Sequence, residues 1–375
     1  MRLRLATGGA TLSMNCIFIK FVTRGTCDLW RVVFLTTETV IKAHGMKFRQ
    51  LSLAEVLGIR EEQPPPDAHG IPDIYDFFAG AGGFSEGARA AGCRVAWVCD
   101  NDPVALKTHA ANHPATEHCL AELPMPRSAW PFPKDGRAFH AHFSPPCQKF
   151  SSVNQSNRVA GDQLMAKNLV EWSIETALTC GAQTWSLEQV PNRAVIKLVE
   201  AAKRRNPGRV AYAQVDLSEL GVPQTRTRLI AGSPMLVAQL LRRLSRSNRT
   251  SVKSAIAKPQ GTHVRNGKGW IKKTRGVDGK WQYTKAGWGD NCRSVNLPAP
   301  TVLAHRELSW VTRRAHGGGY DHCHLKPVEI ASLQTFPPSY KWPDTLKHSM
   351  HQIGNAIPPL VAQLLLAPFT TVVAE

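Results

Sequence analysis

The chain has 375 residues, of which 43% are hydrophobic and 20% charged, so it can bury one large domain core and a smaller appendage. Its formal net charge of +18 favours a polyanionic partner such as nucleic acid over a merely basic soluble protein. Nine dispersed cysteines without a CxxC pair indicate a reducing compartment, and no apolar run is long enough to predict a membrane span. The spacing of His316, His322, Cys323 and His324 does not suit a tetrahedral site, so we predict no metal.

Residues 1–70 carry no functional motif, and we interpret them as a poorly ordered N-terminal extension. Residues 46–62 predict a short helix, and the stretch QPPPDAHGIP that follows predicts a linker. Basic residues before an apolar patch faintly resemble a secretory signal, but polar and glycine interruptions weaken that interpretation. Met46 is an alternative translation start.

From residue 71 onward, short apolar runs alternate with helical patterns. The predicted strands cover residues 74–80, 94–100, 139–144, 184–190, 209–216 and 227–232, and the predicted helices cover 85–91, 103–112, 162–180 and 193–205. This alternation predicts an α/β fold, a Rossmann-like, mostly parallel sheet with helices on both faces. Ligands of such sheets bind beyond the carboxyl ends of the strands.

A strongly basic segment follows the last predicted strand. Between Arg242 and Lys285 there are 13 lysines or arginines and one acidic residue, Asp278. Tryptophans are interleaved with these charges, and they serve either a small core or stacking on bases. We therefore predict a catalytic domain over 71–232, a small basic lobe over 233–291, and a return to the catalytic domain over 292–375.

A glycine-rich turn follows the first strand of the predicted catalytic domain, in DFFAGAGGFSEGARAAG (76–92). Such a turn lets backbone amides approach a ligand closely, although tight packing alone also explains it. Twenty residues after Gly80, Asp100 ends the next strand, where a carboxylate can accept hydrogen bonds from ribose hydroxyls. The two features together predict an adenosine-containing cofactor.

Two further segments contain candidate reactive groups. In FSPPCQKFSS (143–152), prolines stiffen the loop that carries Cys147, which is either an accessible thiol or an ordinary buried cysteine. In SLEQVPN (186–192), Glu188 lies near the end of an apolar strand, where burial would raise its pKa and make it a proton donor. A surface glutamate at a strand end is the alternative.

The last two segments are an arginine-containing strand and the C-terminal helix. In VPQTRTRLIAG (222–232), strand alternation directs Gln224, Arg226 and Arg228 to one face. Two guanidinium groups aimed at one point suit a phosphate or a base carbonyl. The alternative is an edge strand whose arginines face solvent. The segment HSMHQIGNAIPPLVAQLLLAP (348–368) predicts a polar turn and a buried helix that packs on the catalytic domain.

These five segments, in this order, resemble the cytosine-5 DNA methyltransferase family, and the resemblance extends from residue 71 to the C-terminus. It implies S-adenosylmethionine as cofactor. The residues implied at the cofactor site are Phe78, Ala79, Gly80, Ala81, Gly83, Asp100, Asn101, Pro146, Asn355 and Ala356. Asp100 stands where the family usually has glutamate, Asn101 replaces an apolar residue, and Cys119 replaces an aspartate for the adenine amino group.

The resemblance also implies catalytic roles. Cys147 would attack carbon 6 of a flipped-out cytosine, and Glu188 would hold ring nitrogen 3 and supply a proton. Arg228 would bind the cytosine carbonyl, with Arg226 supporting the loop. The expected contacts to double-stranded DNA are Gln224, Lys268, Lys272, Lys273 and Arg275, mostly at phosphates.

The resemblance leaves the biological setting open. We expect a monomer in the cytoplasm, associated with the nucleoid, and a cognate restriction endonuclease is a possible partner that forms no stable complex. One alternative is an RNA methyltransferase of the tRNA-modifying branch, although the Cys-Phe-Thr segment of that branch is missing where this chain reads SLQTFPPSY (332–340). Another is a non-catalytic DNA-binding protein on the same fold.

Overall fold

A computed structural model of the chain describes residues 71–146, 160–266, 272–275, 281–284, 292–304, 308–313 and 320–369, together with two N-terminal strands. These strands, β1 (Cys16–Lys20) and β2 (Trp30–Phe34), pair antiparallel within a separate unit, Met1–Glu62. The helix predicted over 46–62 lies outside the described residues. No helix in the described part of the chain is long and apolar enough to cross a membrane.

A seven-stranded sheet dominates the second unit, Gln63–Glu375. Its strands are β3 (Asp73–Phe77), β4 (Val95–Asp100), β5 (Glu117–Leu120), β6 (Phe139–Phe143), β7 (Thr184–Gln189), β8 (Ala211–Asp216) and β9 (Thr227–Gly232). They lie in the order β5-β4-β3-β6-β7-β9-β8, and β9 alone runs in the direction opposite to the other six strands. The carboxyl ends of β3, β4, β6 and β7 therefore meet at one edge.

Helices cover this sheet and extend into a smaller lobe. They are α1 (Gly83–Ala90), α2 (Pro103–Asn112), α3 (Ala160–Thr179), α4 (Arg193–Arg205), α5 (Pro234–Arg242), α6 (Val252–Ala255), α7 (Pro327–Leu333), α8 (Leu346–Asn355) and α9 (Pro359–Leu366). Side-chain caps fix three of their starts: Asp102 accepts a 2.8 Å hydrogen bond from Val104 N, Asn192 accepts one from Ala194 N, and Ser251 accepts a hydrogen bond from Ser254 N. Pro103 at the first position of α2 supports the same start.

The two faces of the sheet bury separate cores. One face packs α3 and α4 over a cluster that includes Phe77, Phe143 and Leu187. The other face packs α1, α5 and α9 over a cluster that includes Ile74 and Ile230. Period-two alternation divides the central strands between the two cores, so these strands are buried on both sides. The structure confirms the predicted α/β fold with helices on both faces.

A second, smaller sheet has its own core. Its strands β10 (His263–Asn266), β13 (Cys292–Ser294), β14 (Leu308–Arg313) and β15 (Tyr320–His324) lie in the order β13-β10-β14-β15, and β11 (Lys272–Arg275) pairs with β12 (Trp281–Thr284). Its core contains Trp310, which is fully buried. The small sheet includes strands on both sides of residue 291, and α5 packs on the large sheet through Leu236 and Leu240.

Helix α9 lies unusually close to α1. A Cβ on Gly83 would overlap the carbonyl oxygen of Ile357, and one on Gly87 would overlap that of Pro359 and lie 2.6 Å from Cβ of Ala362. These two glycines, one helical turn apart, let the C-terminal segment reach the edge of the sheet where β3 and β4 end.

We predict that Gly87→Ala lowers the free energy of unfolding by about 1–3 kcal/mol, because a well-packed contact has no room for a methyl group. Urea unfolding would measure the change. The matched control is Ala90→Ser at an exposed position of the same helix, which should cost no more than about 0.5 kcal/mol. Equal stability of Gly87→Ala and the wild type would contradict the close packing.

Candidate active site

A cavity lies at the carboxyl edge of β3, β4, β6 and β7, where the fold class places ligands. Five chain regions enclose it: the glycine turn, the end of β4 with the start of α2, the loop after β6, the end of β7, and the end of α8 with the residues that follow it. All the residues expected at the cofactor site line it, namely Phe78, Ala79, Gly80, Ala81, Gly83, Asp100, Asn101, Pro146, Asn355 and Ala356, and Glu188 lines it as well.

The turn after β3 has a backbone that few side chains tolerate. Gly80 and Gly82 have φ angles of 54° and 96°, and a Cβ on Gly82 would lie 2.7 Å from the hydroxyl of Tyr340. Phe78 also has a positive φ, 62°, which is strained for an aromatic residue. Its ring packs edge-on against Trp172 at 6.3 Å between centroids. This strain lies at the cavity wall.

The carboxylate of Asp100 holds the end of β4 against the glycine turn. Its Oδ2 accepts a 2.8 Å hydrogen bond from Gly80 N, and its Oδ1 accepts a 2.9 Å bond from Asp102 N. Burial raises the pKa of Asp100, while these backbone hydrogen bonds oppose that rise. Because each carboxylate oxygen has a further lone pair, the group can also accept hydrogen bonds from a ligand in the cavity.

A second carboxylate, that of Asp76, lies deeper in the same wall. Its Oδ2 accepts a 2.8 Å hydrogen bond from the hydroxyl of Ser85, whereas its buried Oδ1 has no hydrogen-bond partner among the described residues. Burial raises the pKa of Asp76 to about 7. A buried acceptor without a partner is costly, so this oxygen suits a ligand that carries an N–H or O–H donor.

Glu188, at the end of β7, pairs with Arg228 of β9. The distance between Arg228 Nε and Glu188 Oε1 is 2.6 Å, and both side chains are nearly buried. Nη1 of Arg228 donates a 2.8 Å hydrogen bond to the carbonyl oxygen of Thr227. Burying an ion pair costs desolvation free energy that the attraction between the charges often does not recover. Its position at a cavity therefore favours a catalytic role over a purely structural one.

Gln224 and Arg226, which we expected beside Arg228, lie instead in the protein interior. Gln224 donates to the carbonyl oxygen of Leu333 at 2.9 Å and accepts from Val302 N at 2.8 Å. Arg226 donates to the carbonyl oxygens of Val302, Gly354 and Ala356 at 3.0, 3.1 and 3.2 Å. Neither lines the cavity. Both precede the first residue of β9 and tie it to the C-terminal return.

The loop that carries Cys147 begins at the cavity. Ser144 and Pro145 line it together with Pro146, and the carbonyl oxygen of Pro145 accepts a 2.9 Å hydrogen bond from Nε2 of the buried Gln189. Cys147 itself lies outside the described residues, as does Lys268. Three other expected DNA contacts, Lys272, Lys273 and Arg275, stand on β11, whose side chains are also outside them.

Cys119, at the position of the expected adenine contact, does not line the cavity. It stands on β5 in register with Cys99 of β4, and its side chain is partly buried against the core of the large sheet. Burial, with Cys119 alongside, raises the pKa of Cys99 to about 12. The thiol of Cys99 therefore stays protonated near neutral pH.

Two histidines on β6 were missed by the sequence analysis. His140 and His142 are fully buried, and together with three hydroxyl groups they form a chain of hydrogen bonds that ends at Ser144. The alternation in FHAHFS was the available signal, since it places polar side chains on a strand with no solvent-exposed face.

Comparison with known proteins identifies the family. The model of the C-5 cytosine-specific DNA methylases matches residues 73–167 and 235–368, more than half of the chain. The chain is 27% identical over 305 residues to the Type II methyltransferase M.HgiDI of Herpetosiphon aurantiacus, covering 77% of this chain and 91% of the relative. It is 29% identical over 174 residues to the DNA (cytosine-5)-methyltransferase PliMCI of Paracentrotus lividus, covering 41% of this chain and 11% of that protein.

Solved structures share the fold. A protein of an E. coli prophage, assigned as a DNA modification methyltransferase, aligns with a TM-score of 0.53 and 21% identity over 81% of this chain and all of that one. The Entamoeba histolytica methyltransferase EhMeth aligns with a TM-score of 0.52 and 12% identity over 82% of this chain and all of that one. At these identities the likeness concerns the fold alone.

Proposed function

The chain belongs to the C-5 cytosine-specific DNA methylase family, and we propose that Cys147 attacks a cytosine held in the cavity beside Glu188. The enzyme is a DNA (cytosine-5-)-methyltransferase that uses S-adenosylmethionine. The observation that carries the proposed mechanism is that the glycine turn, Pro146 and Glu188 line one cavity. Cofactor, nucleophile loop and proton donor are thus within reach of one base.

The residues of the cavity fit the cofactor. The carboxylate of Asp100 can accept from ribose hydroxyls, and the unpartnered Oδ1 of Asp76 suits a donor such as an ammonium or amide group. The glycine turn brings backbone close to the ligand without a side chain in the way, since a Cβ on Gly80 would meet nothing within 4 Å. When bound, S-adenosylmethionine supplies the methyl group for carbon 5 of cytosine.

Cys147 supplies the nucleophile. Carbon 5 of cytosine is too weakly nucleophilic on its own, so the thiolate adds to carbon 6 and leaves carbon 5 electron-rich. The position of Cys147 supports this role, because it directly follows Pro146 at the cavity wall. After methylation, a base removes the proton at carbon 5, the carbon–sulfur bond breaks and the thiolate leaves.

Glu188 and Arg228 hold the base. Glu188 first takes up a proton from solvent, then binds ring nitrogen 3 and transfers that proton there as the thiolate adds, which neutralises the charge that develops on the ring. A guanidinium carries five N–H donors, so Arg228 can face Glu188 through Nε and still offer donors to the cytosine carbonyl. These groups cannot reach a stacked base, and the cytosine must be flipped out of double-stranded DNA.

The basic lobe binds the DNA around this site. We assign Lys268, Lys272, Lys273 and Arg275 to phosphate contacts, in keeping with the positive charge of the segment. Because a relative is named a Type II methyltransferase, we also propose a restriction–modification system with a cognate endonuclease that forms no stable complex with this chain. We propose that the enzyme is a monomer associated with the nucleoid, where its substrate lies.

We predict that expression of the chain in a bacterial host without cytosine methylation protects cytosines in one recurring short context. Bisulfite sequencing of the host genome would reveal both the activity and the target sequence. Cys147→Ser is the control and should leave every cytosine convertible, because a hydroxyl is a far weaker nucleophile than a thiolate. Full conversion with the wild-type protein, or protection with the variant, would overturn the proposed mechanism.

We expect Glu188→Gln to lower the rate of methyl transfer by about 100-fold or more, because the amide cannot donate the required proton. The affinity for S-adenosylmethionine should stay near the wild-type value. Tritium transfer from labelled cofactor to DNA would measure the rate, and calorimetry the affinity. Glu175→Gln, at an exposed position of α3, is the matched control. A rate close to that of the control would remove Glu188 from the mechanism.

Asp100→Asn should weaken S-adenosylmethionine binding by about tenfold or more, because hydrogen bonds to a charged acceptor contribute about 1.5–3 kcal/mol each. The variant keeps the shape of the side chain. Asp135→Asn, whose carboxylate is exposed and remote from the cavity lining, provides the comparison. Calorimetric titration in which the two variants bind equally well would show that Asp100 does not hold the cofactor.

A further inference from the structure

The central strand β6 contains two buried histidines, and their in-register partners are Ile74 and Asp76 on β3 and Thr184 and Ser186 on β7. Phe139, Ala141 and Phe143 face one core, whereas His140 and His142 face the other, and both imidazoles are almost completely buried. Polar groups at such positions are costly unless they are hydrogen-bonded. What they bind therefore determines their role.

Every ring nitrogen of the two histidines meets a hydroxyl group. His140 lies 2.9 Å from the hydroxyl of Thr184 through Nδ1 and 2.9 Å from that of Ser186 through Nε2. His142 lies 2.7 Å from the same Ser186 hydroxyl through Nδ1 and 2.7 Å from the hydroxyl of Ser144 through Nε2. The result is an uninterrupted chain, Thr184–His140–Ser186–His142–Ser144.

Both imidazoles remain neutral in this chain. Burial lowers the pKa of His140 to about 3 and that of His142 well below its usual value. A neutral imidazole donates from one nitrogen and accepts at the other, so each ring donates to one of its two hydroxyl partners and accepts from the other. The hydroxyl oxygen of Ser144 is therefore held in place by the ring of His142.

The chain ends on the loop that carries the nucleophile. Ser144 lines the cavity and is followed by Pro145, Pro146 and Cys147. Its N–H donates to the carbonyl oxygen of Phe77 at 3.2 Å, so the backbone at this point is tied to β3. The hydroxyl bond to His142 adds a side-chain restraint at the last residue before the two prolines. Since prolines transmit backbone direction stiffly, a restraint at Ser144 also constrains the residue that follows them.

We propose that His142 is a positioning residue for the nucleophile, acting through the hydroxyl of Ser144 on the loop that carries Cys147. The inference rests on the proposed role of Cys147. A displacement of a reacting atom by about 1 Å is enough to cost about 100-fold in rate, so the restraint at Ser144, on the same loop before the two prolines, matters for attack on carbon 6. Cofactor binding, by contrast, depends mainly on the glycine turn and on Asp100, which form another wall of the cavity.

Packing and hydrogen bonding at His142 can be separated experimentally. The ring of Phe84 stacks on His142 with centroids 3.5 Å apart and planes within 3°. His142→Phe keeps a flat ring for this contact and removes both hydrogen bonds. Ser144→Ala removes the same bond from the other side with the loss of a single atom. If both act through one bond, the double variant should be no slower than the slower single variant.

The test is the rate of covalent trapping on DNA copied with 5-fluorodeoxycytidine triphosphate, in the presence of S-adenosylmethionine. Fluorine at carbon 5 cannot be removed as a proton is, so the enzyme stays attached after methyl transfer, and the target sequence need not be known. We expect His142→Phe and Ser144→Ala each to lower the single-turnover trapping rate by about tenfold or more, with non-additive effects and an S-adenosylmethionine Kd close to that of the wild type.

Ser173→Ala is the matched control, since this buried hydroxyl donates to the carbonyl oxygen of Leu169 within α3 and lies outside the cavity lining, and it should trap at the wild-type rate. Trapping by both test variants at the control rate would overturn the inference and leave the cysteine mechanism intact. A loss of cofactor affinity as large as the loss of rate would also overturn it. Failure of the wild-type protein to become trapped would overturn the cysteine mechanism and this inference with it.

Discussion

The site depends on the close approach of α1 and α9. Gly83 and Gly87 leave no side chain between the helices, so the carbonyl groups of Ile357 and Pro359 lie directly against α1. This contact carries Asn355 and Ala356, nearly 280 residues from the glycine turn in sequence, to the rim of the same cavity. The cavity is thus closed by a segment that follows the basic lobe in sequence.

Buried polar groups make that return specific. Gln224 and Arg226 do not touch the cavity, yet they bond to Val302, Leu333, Gly354 and Ala356 across the boundary between the large sheet and the C-terminal return. Each bond is modest in net energy, but leaving one of these buried groups unpaired is expensive. An alternative docking of the return would therefore be penalised, whereas apolar packing alone would tolerate a shift.

The large sheet was predictable because its signals are local. All six predicted strands agree with the structure to within three residues at each end, including β7 with Glu188 near its end. Strand β5 was missed because EHCL is too short and polar to show a strand period. Helix α5 was placed with the basic lobe because charge density marked that boundary, while the apolar residues that bind it to the sheet lie within the helix.

The contacts of the site residues were harder to predict from the sequence than the fold was. Residues of the glycine turn and Asp100 follow strand ends, so topology alone brings them together. For Gln224, Arg226 and Arg228, strand alternation suggested one shared face, but β9 begins only at Thr227, and the first two side chains bond in the interior instead. The His140–His142 chain required knowing which hydroxyls of β7 face β6, and that register appears only in three dimensions.

The proposed mechanism requires that cofactor and cytosine meet in the cavity between the glycine turn, Glu188 and Asn355. A crystal structure with S-adenosylhomocysteine and a trapped 5-fluorocytosine duplex tests it most directly. We predict ribose hydroxyls on the carboxylate of Asp100, ring nitrogen 3 on Glu188 and a bond from Sγ of Cys147 to carbon 6. A cofactor bound outside this cavity, or a base attached to another residue, would contradict the account.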